Sequence, residues 1–596
     1  LADQIGERAS GNPFFAEQIV HDLADRGVLC GDRGAYVCPN EVAELQVPAS
    51  VQAAIAARID RLDPFAKRLL NAAAVIGLRF EDELLARLVD DTGMTTLIEA
   101  ELIDQVTFTP RAEYAFRHPL IRTVAYESQL RSDRAELHRR LAGFIEQNDE
   151  NGPLIAEHLE AAGDLHEAFD WHMRAGTWSR AYRDIGAAWT SWQRARQIAD
   201  RLPVDDPDRT AMRIAPRTRL CATAWRAGGN VADTGFDELR QMATAAGDKV
   251  SLATGMAGQI NALADNEHYR EASQLALELE PLLESIGDPT LTVGLLWTAL
   301  SPKFSLGEIN EGLRLAQRLI DLAGDDPHTG DLIIETPLIL TLMVRDAAHA
   351  TLGQAGWKRE IERSAAMCRE INPGGRAVIE FLYIYMLGIL NGLLRFGNSM
   401  LEATAETLRQ AEQRGDDYAL TAARLLHGLV LAQSEGPQRS DGFRQLAVAR
   451  DALLGKRFLL GRLPLIDLEM AKETARSGDP DSAIEILRIV ADHEFAIGDI
   501  IHLGGAVTAL VETLLERGTT ADKAEAQAAT ERLATVPVEP GFVLYDITLL
   551  RLRALLARAR GDDTAYRDFV DRYRAMATSL GFEGHIAMAS TMKEAF

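Results

Sequence analysis

Two short stretches carry residues that could do chemistry. His118 stands in Arg117-His118-Pro119-Leu120, directly before a segment with helical periodicity. Its imidazole therefore falls at a predicted helix N-terminus, where free backbone N–H groups and the helix dipole favour anions. The chemistry open to it is capping that helix or meeting a phosphate-like anion. Gly11-Asn12-Pro13 opens the first predicted helix. Asn12 suits the N-cap and Pro13 the first helical turn. Arg122, one turn beyond His118, reads as a surface or interdomain ion pair. His158, His166 and His172 read as ordinary surface on different faces of two helices. The sequence contains no Gly-x4-Gly-Lys-Ser/Thr loop, no Gly-x-Ser-x-Gly elbow and no kinase signature set. Cys-x-x-Cys and His-Glu-x-x-His spacings are absent too, so the sequence offers neither catalytic residues nor metal ligands. Cys30, Cys38, Cys221 and Cys368 are too few and too scattered for a disulfide framework. They read as reduced thiols of a cytoplasmic protein.

The elements that must position these residues come in two styles. In Gly11–Arg26, Phe15, Ile19, Val20 and Leu23 share one helical face. Val28–Pro39 reads as a hairpin about Gly-Asp-Arg-Gly. Val51, Ile55, Ile59 and Leu62 make the apolar stripe of the next helix, and Asp63-Pro64 restarts another that Gly77 closes. Short helices follow at Glu81–Val89 and Thr95–Ile103. The period then changes to two: Val106–Phe108 and Tyr114–Phe116 alternate about a turn at Pro110–Glu113, giving a two-stranded hairpin. Pro119 opens a further helix. Helices, a hairpin and a helix in this order make a winged-helix-like layout.

From about Leu137 onward no strand is predicted. Helix pairs recur with Ala and Gly at their contacts and Gly-Asp turns between them. Helix-breaking glycines at Gly247, Gly287, Gly330, Gly374, Gly415, Gly455, Gly498 and Gly541 are 40, 43, 44, 41, 40, 43 and 43 residues apart. A period near 42 is what stacked helix pairs produce, so the fold class is mainly all-α, a tetratricopeptide-like α-superhelix following the winged-helix-like part. Asp plus Glu outnumber Lys plus Arg by 88 to 63, a net charge of −25. That excludes a whole-chain nucleic-acid binder. The short helix Glu81–Val89 is acidic, the wrong sign for phosphate contacts. The 47% apolar and 25% charged composition is that of a folded globular chain. The longest apolar run, Phe381–Leu394, is shorter than the roughly 18 residues of a membrane span. It reads as a helix buried on all sides, with no membrane partner.

Three stretches in order, ERASGNPFFAEQIVHDLADRGVL, VPASVQAAIAARIDRLDPFAKRLLNAAAVIG and YAFRHPLIRTVAYESQL, followed by LHRRLA, resemble the end of the ATPase module in STAND-type signalling ATPases. The resemblance is to the bacterial subgroup in which that module precedes a tetratricopeptide superhelix, linked to a class III adenylate/guanylate cyclase or to a LuxR-type DNA-binding domain. It covers residues 1 to about 180 closely. It implies that residues 1–44 are the lid end, 45–130 the winged helix, 131–246 degenerate repeats and 247–596 the repeat array. It further implies that Gly11 and Pro13 approach the adenine and that His118 contacts the β-phosphate of ADP, both only alongside an ATPase core. Arg117 and Pro119 replace the Met and Asp that flank the histidine in the family motif. The expectation is a regulatory piece of a longer protein beginning before Leu1, not itself an enzyme, with ATP/ADP bound in the intact parent. Its partners would be the upstream ATPase domain and a protein, peptide or small-molecule ligand on the repeats. Direct nucleic-acid contact is not expected, and an oligomer is compatible. A cyclase-linked parent is favoured because no basic helix-turn-helix follows the last repeat. The other readings are a LuxR-family regulator fragment and a stand-alone repeat scaffold.

Overall fold

A computed structural model describes residues 5–6, 9, 12–31, 35–38, 50–89, 93–107, 111–181, 184–228, 231–371 and 375–594. Gly11, Gly374, the Gly-Asp-Arg-Gly turn beyond Gly31 and the Phe108–Pro110 part of the predicted hairpin lie outside them. The chain divides into two compact units: Leu1–Trp178 with Gln197–Leu202, and Ser179–Arg196 with Pro203–Phe596.

In the first unit, helix ends follow their caps. Asn12 Oδ1 accepts from Phe15 N at 3.2 Å and starts the helix Pro13–Asp25. Ser50 caps Val51–Arg61, and Asp63 Oδ1 accepts from Phe65 N and Ala66 N to start Pro64–Ile76. Each such cap is worth about 1 kcal/mol. The stripe on Pro64–Ile76 buries Leu69, Leu70 and Ala73 completely, in one apolar cluster with Ile55 and Ile59 of the preceding helix. Of the hairpin predicted about Gly-Asp-Arg-Gly, the described residues show an antiparallel bridge between Cys30 and Val37.

Two expectations need correction here. The helix predicted over Thr95–Ile103 is Met94–Glu99. Glu101 turns to φ +52°, Leu102 N returns to Leu97 O, and Ile103 opens a strand. The sheet also has three strands rather than two. β1 (Arg79–Glu81), β2 (Ile103–Thr107) and β3 (Glu113–Phe116) run antiparallel in the order β1-β3-β2. β1 is short, and only Phe80 points inward, so it offers no period to read. Phe80 pairs with Tyr114 in register and stacks on it with ring centroids 6.0 Å apart.

In the second unit the described residues contain no strand, and successive helices pack on their sequence neighbours. Small residues permit the approach: a Cβ on Gly258 would lie 2.4 Å from Cys221 O, so helix Lys249–Asp265 rides directly on helix Arg209–Ala227. Gly247, Gly287, Gly415 and Gly498 terminate helices in the left-handed conformation. Gly455 does not. It lies inside helix Pro437–Lys456, which ends instead at Arg457 with φ +58°. Phe381–Leu390 is buried as expected but is a π-helix, a rare form. Beyond it, Asn391 Nδ2 donates to Met386 O and Ile501 O.

The array coils back on itself at regular sequence distance. Arg226 pairs with Asp416, 190 residues on. Glu267 meets His493 at 2.6 Å, 226 residues on. Asn310 N donates to Glu539 over 229 residues, and Trp357 Nε1 to Leu580 O over 223. His585 Nε2 lies 3.0 Å from Asn391 O, 194 apart. The shorter and longer separations differ by roughly 35 residues, one helix pair. Contacts across the coil thus fall at two separations, 190–194 and 223–229 residues.

Candidate functional sites

His118 adopts extended backbone and caps the helix Pro119–Glu127, its Nδ1 accepting from Leu120 N at 3.1 Å. An accepting Nδ1 puts the proton of the neutral ring on Nε2, which is left to donate. Against the ring lies Phe14, with centroids 3.9 Å apart and planes 15° from parallel. Phe14 follows Pro13 in the first turn of its helix, so the two sequence-singled stretches meet at one point. Pro13 itself is exposed, and Gly11 lies outside the described residues. Arg117 Nη1 pairs with Glu101 at 2.5 Å and Nε with Asp104 at 3.2 Å, so its charge is satisfied within the sheet end.

Neighbouring expectations are corrected. Among the described residues Arg122 forms no ion pair: its Nε donates to Ala74 O at 3.0 Å in the last turn of Pro64–Ile76. Of the three histidines read as surface, only His166 is exposed. His172 is 3% exposed. His158 Nδ1 lies 3.1 Å from His138 Nδ1, whose Nε2 meets Tyr126 OH at 2.9 Å. Burial, with His158, Arg134 and Arg122 nearby, lowers His138 to about 4. Helical spacing missed this because His138 and His158 come from different helices.

The second unit holds a cavity of about 260 Å³. Its walls come from stretches a full turn apart: Arg180, Trp225, Asp265 and Trp297 from the early part, Phe381, Tyr418 and Arg462 from the later. Arg226 lies 5.7 Å from the ring centroids of both Trp225 and Tyr418 while pairing with Asp416. Arg462 sits 5.0 Å over Phe381 with no carboxylate in ion-pair range among the described residues; burial works against its charge, but Tyr269, Asp265 and Asp499 at longer range outweigh it and raise its pKa. Arg180 Nη1 donates only to Leu332 O, at 3.1 Å, and burial with Arg219 and Arg226 close by lowers its pKa. Burial pushes Asp265 up to about 7, against the pull of Arg462 and the Leu459 backbone. Arg226 Nε, Asn261 Nδ2 and Asp265 Oδ2 are buried without hydrogen-bond partners. Backbone strain gathers here too. Thr336 and Leu459, both lining the cavity, take φ +54° and +52°, where side chains other than glycine rarely go. The π-helix supplies Phe381, Leu382 and Met386. No local motif marks these arginines, which is why sequence spacing missed the cavity.

Elsewhere on the same seam, ligand atoms of Glu494, Asp499 and His502 lie within 4.8 Å of one another. Asp499 is already engaged: its Oδ1 caps the helix Ile500–Arg517, and its Oδ2 meets His502 Nδ1 at 3.0 Å.

No family model matches the chain. An uncharacterized protein of Rhizobium meliloti (strain 1021) is 36% identical over 124 residues, which are 19% of this chain. The match spans only 12% of that relative's length. Among solved structures, the chain is similar to a Signal Transduction ATPase with Numerous Domains (STAND) protein with a tetratricopeptide repeat sensor from Pyrococcus horikoshii. The TM-score is 0.34 at 12% identity, covering 99% of this chain and 71% of that one. It is also similar to the human IFIT1 dimer with PPP-AAAA (TM-score 0.31, 12% identity, 74% and 94% covered) and to yeast Tom70 (0.27, 11%, 78% and 92%). At these scores the fold rests on the helix pairing described above, which makes the second unit an all-α helical-repeat array.

Proposed function

We propose that this chain is the regulatory portion of a STAND-type signalling ATPase. Its helical repeats receive a protein, peptide or small ligand and bias a nucleotide-dependent switch, in a parent carrying a class III cyclase. The observation that carries the reading is the stack of Phe14 on His118. It brings the Asn12-Pro13 helix start and the motif histidine to one place, with Nε2 left to donate toward a phosphate. In an intact protein bearing the ATPase core, that donor would hold the β-phosphate of ADP and favour the closed state. A hydrogen bond to a charged group contributes about 1.5–3 kcal/mol, and 1.4 kcal/mol is a factor of about ten.

The test is ADP affinity of the intact protein, native and with His118→Ala. We expect at least about tenfold weaker ADP binding and raised basal output. In this chain alone the same change removes a helix cap and lowers stability by about 0.5–2 kcal/mol. Unchanged ADP affinity and output in the intact protein would reduce His118 to that cap.

A further inference from the structure

We infer that the cavity of the helical unit binds a small organic acid with an aromatic body: its carboxylate meets Arg462 and Arg180, and its ring lies among the tryptophans. The inference deepens the sensor reading and rests on it only for the ligand's purpose, not for its binding. Three features converge on it.

First, two arginines of the lining are not directly paired. Arg462 and Arg180 have no carboxylate in ion-pair range among the described residues, whereas Arg226 is matched by Asp416. Acids act on them only at longer range, Asp265 and Asp499 on Arg462, Glu335 and Asp331 on Arg180; Asp265 is pushed up to about 7 by burial despite Arg462 and the Leu459 backbone, so near neutrality it supplies only part of a counter-charge. Half-buried cations without a counter-ion are costly, and an anion relieves that cost by charge-assisted, bidentate hydrogen bonds. Arg226 Nε and Asn261 Nδ2 are further donors with no acceptor.

Second, the walls suit a flat apolar body. Trp225, Trp297, Phe304 and Phe381 line the cavity, and its volume of about 260 Å³ is of small-molecule rather than peptide scale. A peptide backbone would bring several polar groups that these walls cannot match. Inorganic phosphate would satisfy the arginines and leave the aromatic faces unused.

Third, the protein holds the cavity open at a cost. The left-handed Thr336 and Leu459 and the π-helix Phe381–Leu390 all contribute to its lining. Strain of this kind gathers at binding sites. A purely structural seam would be served by ordinary helices packed to closure.

The experiment is calorimetric titration of the 596-residue chain with benzoate, 2-naphthoate, 2-naphthamide and inorganic phosphate. We expect 2-naphthoate to bind best, at least tenfold tighter than its uncharged amide and tighter than benzoate, and phosphate to bind weakly. Arg462→Gln should collapse the gap between acid and amide. Arg462→Lys should keep part of it and control for folding. Ala419→Trp, which keeps every arginine and fills the space, should abolish binding of both naphthyl probes while circular dichroism and melting stay close to native. Equal affinity for acid and amide would overturn the carboxylate assignment. Phosphate competing as well as naphthoate would make this an inorganic-anion site. No binding of any aryl acid up to millimolar concentration would overturn the proposal. None of these outcomes depends on His118, so they are separable from failure of the nucleotide reading.

Discussion

His118 and Asp265 show what a single side chain can do in each unit. His118 was visible in the sequence because a histidine before a proline-initiated helix has a limited set of roles, and the cap to Leu120 N is one of them. Its partner Phe14 was not, because a ring stack between residues about a hundred positions apart leaves no local pattern. Asp265 was invisible for a related reason: its surroundings, Arg462, Tyr418 and the Leu459 N–H, come from nearly a full turn later. Its ordinary value is about 3.9, and in the fold it rises to about 7. Between those values the folded chain holds a proton the unfolded chain has released. Stability from this group is therefore greatest at low pH, falls as pH rises from 4 to 7, and is lost above 7. Asp265→Asn removes that slope. In denaturant unfolding the variant should gain about 3 kcal/mol on the native chain between pH 5 and pH 8. A stability difference that does not change with pH would show Asp265 ionising as a solvated carboxylate.

At the scale of elements, apolar periodicity and capping residues placed most helices of the first unit within a residue or two. The failures have local causes. β1 is too short to have a period, and Glu101 ends a helix early by turning left-handed without a glycine. The 42-residue glycine period located the repeat array but treated unlike glycines as equal. Gly258, outside that series, is a contact residue, Gly415 a left-handed cap with open space around it, and Gly455 an ordinary helical position with open space. Alanine should therefore act differently at each. Gly258→Ala should cost about 1–3 kcal/mol by forcing two helices apart. Gly415→Ala should cost about 1–2 kcal/mol in backbone strain. Gly455→Ala should stabilise by about 0.5–1 kcal/mol. Urea midpoints with matched slopes check all three; a destabilised Gly455→Ala would mean that glycine ends its helix after all.

For the whole molecule, the all-α repeat class followed from composition and from turns that recur without strands. The return of the array upon itself did not, because contacts 190 to 229 residues apart are set by superhelical pitch and not by any segment's pattern. That return builds the cavity, since its walls need both the early and the later stretch. A ligand there grips two successive turns and thereby selects among pitches of the coil, which is how a repeat array can report occupancy. Among the described residues no helix is long and apolar enough to cross a membrane.

The proposed role requires that occupancy of the helical unit and the state of a nucleotide switch be coupled. Coupling free energies of about 1–3 kcal/mol correspond to roughly 5- to 150-fold changes in affinity, and they are reciprocal. The most direct measurement is ADP affinity of the intact protein, without and with saturating 2-naphthoate. ADP should bind at least about fivefold more weakly when the acid is bound, ADP should weaken naphthoate equally, and Arg462→Gln should lose both effects. ADP affinity that is identical with the cavity filled and empty would contradict it.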